Sequence, residues 1–199
     1  RLFDYDLDGD LDIYVTRGHI LDNLETLHPG TRLRYAQPDH LFQNDGKGNF
    51  RDVSGSSGAW FKRRMVGRAV ATADYDSDGD LDLFIVNSGQ ECALLENRAA
   101  RKGSWIGIQL QGTAPCSRDA SGSLITLKTT NGTRRVETRN SQSYMAANAP
   151  RIILALEKGA PKAPPLEVRW SDGLREVFRE LETQRYHLLV RGMGEKIEK

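Results

Sequence analysis

Nothing in these 199 residues is built to cross a bilayer. No apolar run approaches the ~20 residues that a membrane-spanning helix needs. Cysteine is scarce. Cys92 and Cys116 are the only two, and they form no CxxC or zinc-ligand spacing, so a disulfide framework and a zinc module are excluded. A single bridge between them and a pair of buried thiols both stay open. Histidine is almost as rare: His19, His28, His40 and His187 stand in unrelated contexts, without the HExxH spacing of a zinc protease. No GxSxG elbow occurs, and no glycine-rich loop follows a strand and opens a helix, so serine-hydrolase and nucleotide-binding chemistry lack support. Neither sign of charge dominates, with 28 Lys and Arg against 27 Asp and Glu. The densest basic cluster, Lys62-Arg63-Arg64 with Arg68, has no interleaved aromatics and reads as a solvated connecting loop, so no nucleic-acid partner is expected. A hydrophobic content of 38% still supplies a core for one large or two small domains.

What the chain holds in excess is aspartate, in two places. Asp4-Tyr-Asp-Leu-Asp-Gly-Asp-Leu-Asp12 and Asp74-Tyr-Asp-Ser-Asp-Gly-Asp-Leu-Asp82 each pack five aspartates into nine residues. Like charges at about 4 Å repel by roughly 4 kcal/mol even at an effective dielectric near 20. A folded loop can gather them around a cation, and hard oxygen donors suit Ca²⁺ better than Zn²⁺ or Cu²⁺. The expected ligands are Asp4, Asp6 and Asp8 in the first loop and Asp74, Asp76 and Asp78 in the second. Asp10 and Asp80 would offer backbone carbonyls and leave their side chains to solvent or second-shell bonds. Asp12 and Asp82 would close each cage, with Gly9 and Gly79 allowing the sharp turn. Leu11 and Leu81 are expected to point away from the metal and anchor the loops in the core.

These loops are not EF-hands. That motif needs a glutamate at loop position twelve and a helix on either side; here position twelve is Val15 or Ile85, inside a β-branched, aromatic run that reads as a strand. Calcium loops of micromolar or weaker affinity fill constitutively only where calcium is millimolar, which favours a secreted, periplasmic or extracellular setting.

The loops start 70 residues apart, and Leu41-Phe-Gln-Asn44 is echoed by Leu94-Leu-Glu-Asn97. Such an internal repeat of strand units marks a propeller or array. Strands are expected over 13–16, 39–44 and 49–53 in the first unit, with a polar excursion over 17–38 and a hairpin turn at Asp45-Gly46. The second unit repeats with strands at 67–73, 83–86 and 92–97. The first loop is preceded by a three-residue stub where the second has a full strand, so further blades are expected upstream.

This ordering, with Leu41 to Phe50 reading Leu-Phe-x-Asn-x-Gly-x-Gly-x-Phe, resembles the FG-GAP/VCBS repeats of integrin-type β-propellers. The resemblance implies four-stranded blades, a calcium loop between the first two strands of each, and a structural, adhesive role. Beyond residue 100 the chain resembles the ASPIC/UnbV domain that ends cartilage-acidic-protein-like chains. The matching words are Trp105 to Thr113, Ser117-Arg-Asp119, Ser143-Tyr144, Pro150-Arg151 and Val168-Arg-Trp-Ser-Asp-Gly173. The implied fold is all-β: partial integrin-α-like propeller blades over 1–100, a small sandwich- or barrel-like ASPIC/UnbV domain over 101–191, and a tail over 192–199.

Within the second half, strands are expected at 105–110, 123–129, 135–139, 152–156 and 166–170, with a type I′ turn at Asn131-Gly132. Asn131-Gly-Thr133 is also a glycosylation sequon, though the turn accounts for it. Leu174, Val177, Phe178 and Leu181 recur at helical spacing. Asp172-Gly173 before them and residues 186–190 after them favour strand, turn, strand instead. Trp60, Trp105 and Trp170 read as core aromatics, and Asp119 as a loop brace paired with Arg118.

The expected function is a non-enzymatic, calcium-binding extracellular module with two structural Ca²⁺ sites, acting in adhesion or in contact with an unidentified protein or glycan. The rival is an accessory or catalytic protein of a biosynthetic pathway, its site in upstream blades or at the junction of the two halves.

Overall fold

The computed structural model of the chain describes residues 1–130, 132–139, 141 and 143–197. The Asn131 turn and sequon position therefore falls outside the described residues. Alternating apolar and polar side chains, β-branched residues and Gly- or Asp-containing turns produce short strands almost throughout. The first sheet runs in the order β1 (Leu2–Phe3), β2 (Asp12–Val15), β3 (His40–Asn44) and β4 (Phe50–Asp52), all antiparallel. The first aspartate loop connects β1 to β2. Between β2 and β3 the polar excursion carries a single helical turn, α1 (Leu24–Leu27). The second sheet is β5 (Gly67–Ala73), β6 (Asp82–Asn87) and β7 (Ala93–Leu95), with the second aspartate loop between β5 and β6.

The two sheets stack in a head-to-tail sense. Phe3, Tyr14, Leu41 and Val53 from the first share one buried cluster with Val70, Leu83 and Ile85 from the second. Displaced by the 70-residue repeat, Tyr14 corresponds to Phe84 and Val15 to Ile85. Tyr14 and Ile85 are fully buried, whereas Phe84 is 46% and Val15 37% exposed. Opposite faces of the equivalent sheets meet, and the other two faces stay open. A buried carboxylate ties the segment that follows the first sheet back onto it. Asp39 accepts hydrogen bonds from the Tyr14 hydroxyl (2.6 Å), Trp60 Nε1 (2.9 Å) and the Arg17 amide (2.8 Å).

The second half comprises β8 (Ser104–Gln111), β9 (Leu124–Thr129), β10 (Gly132–Glu137), β11 (Ile152–Leu156), β12 (Leu166–Arg169), β13 (Arg175–Phe178), β14 (Tyr186–Val190) and β15 (Glu195–Lys196). A five-stranded sheet β10-β9-β12-β13-β15 and a three-stranded sheet β11-β8-β14 enclose a core that includes Ile106, Ile108, Ile125, Leu127, Leu166, Val168 and Trp170. Residues 175–178 are a strand despite their helical spacing. Pairing differs from the expected hairpin, however: β13 pairs with β12 across Asp172-Gly173, and β14 crosses to the other sheet and runs parallel to β8. The segment set apart as a tail from residue 192 returns to the five-stranded sheet, where β15 pairs with β13. The cysteines are unpaired, and Cys92 is exposed, not buried. Among the described residues no helix is long and apolar enough to cross a membrane.

Candidate metal centre

Each loop is held in shape by its own carboxylates. Asp4 accepts the amides of Asp8 (3.1 Å) and Gly9 (2.8 Å). Asp74 does the same for Asp78 (3.0 Å) and Gly79 (2.8 Å). Asp12 and Asp82, expected to close the cages, face two backbone donors each. Asp12 accepts the amides of Tyr5 (3.2 Å) and Asn44 (2.8 Å); Asp82 accepts those of Tyr75 and Asn97, both at 2.8 Å. The echoed Asn44, at the end of β3, and Asn97, just past β7, are thus the clasps on the loops. Asn97 reaches further, since its side-chain amide donates to the Tyr5 carbonyl of the first loop at 2.7 Å.

Carboxylate oxygens converge in both loops. In the first, Asp4, Asp6 and Asp8 bring oxygens within 4.8 Å of one another; in the second, Asp74, Asp76 and Asp82 do so. Asp12 stands outside the first group and Asp78 outside the second. Asp78 is bonded by the guanidinium of Arg101, whose Nε also donates to Asp80 Oδ2 at 3.1 Å. Of the two places expected for a position-seven side chain, solvent or a bond beside the cage, Asp80 takes the second and is buried, whereas Asp10 is half-buried. Lys102 Nζ takes the corresponding place in the first loop, 2.6 Å from Asp6 Oδ2 and 2.8 Å from Asp8 Oδ2. Asp6 Oδ2 also accepts from Gln43 Nε2 at 2.8 Å. One oxygen of Asp6 and one of Asp80, each on a residue only 3% exposed, have no hydrogen-bond partner among the described residues.

Leu11 does not anchor its loop; it is 54% exposed. The anchor is Leu7, 2% exposed, because the chain turns through positive φ at loop position four (Leu7 +56°, Ser77 +62°). Leu81 does pack against the sheet core. Leu7 joins Trp105 and Ala155, with Ile153 and Tyr186 beside them, in a small cluster linking the first loop to the second half. The Tyr186 hydroxyl donates to Asp74 Oδ2, and Arg151 lies 4.7 Å over the Tyr186 ring. The second half is therefore docked on both aspartate loops.

A family model for the FG-GAP-like repeat matches residues 4–85, and one for ASPIC and UnbV matches residues 112–196. The chain joins an FG-GAP-like repeat to an ASPIC/UnbV domain. No curated protein matches it. The FG-GAP-like match opens at Asp4 and closes at Ile85, so it embraces both aspartate words. The UnbV match takes in β15, in accord with the pairing of β15 to β13.

The crowded carboxylates carry an electrostatic signature. Burial, followed by the charge of Asp8, pushes Asp4 up to about 7 from its ordinary 3.8. Burial pushes Asp12 up to about 6 and, against the bond from Arg101, Asp80 up to about 7. A carboxyl with a raised folded-state pKa binds its proton more tightly folded than unfolded, so stability declines as pH climbs from the unfolded to the folded value. Thermal melts in chelator should accordingly show a falling Tm between about pH 4 and about pH 7. A Tm that rises across that window would show that these carboxylates are not crowded in the folded protein.

Proposed function

We propose that this chain is a calcium-stabilised, non-catalytic binding module of an extracellular protein, its two aspartate loops each holding one Ca²⁺. The observation that carries the reading is the convergence of three carboxylates in each loop, with one buried oxygen of Asp6 in the first lacking a hydrogen-bond partner among the described residues. A buried charged oxygen without a donor is costly, and a hard divalent cation relieves that cost directly. The donors suit calcium: Asp4, Asp6 and Asp8 in the first loop and Asp74, Asp76 and Asp82 in the second are all oxygen ligands, without sulfur or imidazole among them. Asp78 would join once freed from Arg101. When bound, the ion supplies charge neutralisation and cross-linking of the loop. Asp4, Asp12, Asp74 and Asp82 meanwhile brace backbone amides, so their work is structural.

FG-GAP-like repeats are typical of extracellular proteins, where millimolar calcium would keep such loops filled. Contact with a protein or glycan is the role that fits a chain whose buried acids serve its fold. The open sheet faces offer apolar area for it, with Leu2 and Val15 on one and Phe84, Val86 and Leu94 on the other.

Calorimetric melts with excess calcium and with EDTA test the reading. A ligand at ~100 times its Kd adds about 2.7 kcal/mol per site, so emptying both sites should lower Tm by roughly 10–20 °C. Asp6→Asn combined with Asp76→Asn should reproduce the drop and abolish the response to calcium. A melt indifferent to EDTA sinks the proposal.

A further inference from the structure

Arg101 and Lys102 are neighbours in the segment joining the FG-GAP-like half to the UnbV domain, yet they serve different loops. Lys102 binds Asp6 and Asp8; Arg101 binds Asp78 and Asp80. We propose that these two residues are tethered counter-cations: they neutralise the loops in the absence of metal, Lys102 competes with a divalent cation for Asp6 and Asp8 while Arg101 withholds Asp78 from one, and both are displaced when it binds. The proposal rests on the calcium reading of the loops.

Three features support it. First, the carboxylates coincide. Asp6 and Asp8, which hold the Lys102 ammonium, are two of the three aspartates that converge in the first loop. A divalent ion ligated at about 2.3–2.6 Å by those carboxylates would face a positive charge in direct contact with its own ligands. Second, the two loops differ where their cations differ. Asp8, held by the Lys102 ammonium, joins the convergent group of the first loop, but its repeat counterpart Asp78, held by the Arg101 guanidinium, does not join that of the second. Third, the side chains can leave while the backbone stays. The Lys102 amide donates to the Asp6 carbonyl at 2.8 Å, and a Cβ on Gly103 would lie 2.5 Å from the carbonyls of both Leu7 and Leu156. The main chain is clamped there, whereas the Lys102 and Arg101 side chains are 48% and 35% exposed, with open routes to water.

Tethering gives each cation a high effective concentration at its loop, so calcium must outcompete it and the loading threshold rises. The same charges keep the metal-free loops from flying apart. Removing one should therefore lower stability in EDTA but not in calcium. A brace with no link to the metal would lower stability in both.

The full chain and its Lys102→Met, Arg101→Gln and Arg98→Gln variants would be compared by calcium calorimetry and by melts in EDTA and in excess calcium. Arg98→Gln controls for net charge, since it removes an exposed cation of the same segment that pairs with Glu96. Lys102→Met and Arg101→Gln should each bind calcium at one site about tenfold more tightly, lower Tm in EDTA, and leave Tm in calcium equal or higher. Arg98→Gln should change affinity by less than about twofold. Unchanged or weaker affinity in the first two variants, or an equal Tm loss in both conditions, overturns the proposal while calcium binding stands. No calcium binding by the wild-type chain overturns the calcium reading itself, and this proposal with it.

Discussion

Gly79→Ala is expected to cost about 4–5 kcal/mol, whereas Gly9→Ala, at the same place in the other loop, should cost only about 1–2. Both glycines have nearly the same φ, +96° and +97°, and both donate their amides to the first aspartate of their loops. The backbone penalty for a side chain is therefore shared. What differs is the neighbour. A Cβ on Gly79 would lie 1.8 Å from the Trp105 ring, which is 6% exposed and packed against Tyr186 with ring centroids 5.3 Å apart. That indole cannot yield without opening the contact between the loop and the UnbV domain. A Cβ on Gly9 would instead meet the guanidinium of Arg134, the far end of a flexible side chain. Urea denaturation of the two variants in excess calcium measures the difference. Equal costs would show that Trp105 is not held against the second loop, and the docking of the two halves would fall with it.

That docking also marks the boundary of what the residue order discloses. The strands around each loop were legible because burial on one face imposes alternation: Tyr14 and Ile85 sit inside, while Val15 and Phe84 sit outside. The 70-residue echo disclosed the repeated sheets, and its Asn44 and Asn97 proved to be the clasps on Asp12 and Asp82. The pattern points to Leu11 as the anchor, and nothing local in it singles out Leu7, whose positive φ turns it inward instead. Nothing local tells which loop the basic side chains of Arg101 and Lys102 will reach. Tyr186 lies 112 residues from Asp74, and only the packing of β14 beside β8 brings its hydroxyl to that carboxylate. That parallel pairing itself follows from the geometry of two facing sheets and leaves no mark in the alternation of residues 186–190.

A second large effect is expected far from the loops, at Glu176. This side chain on β13 is fully buried and accepts three hydrogen bonds: Trp170 Nε1 at 2.6 Å, the Gly192 amide at 3.0 Å and the Gly194 amide at 3.2 Å. Those bonds fix the turn that leads from β14 into β15, and so link the two UnbV sheets. Glu176→Ala removes the acceptor and strands three donors in a dry core, each costing about 1–3 kcal/mol, so a loss of roughly 3–5 kcal/mol is expected. Domains are stable by only about 5–15 kcal/mol, which places this variant near the threshold of unfolding. Glu176→Gln keeps one acceptor oxygen but turns an amide NH₂ toward a donor, and should lose about half as much. The two losses should be the same in calcium and in EDTA, because the Glu176 partners belong to the UnbV core and not to the loops. Urea unfolding in both conditions separates this from every loop variant. A Glu176→Ala midpoint equal to wild type would mean that the carboxylate does not hold the β14–β15 turn, and a loss that appears only in EDTA would tie it to the metal loops instead.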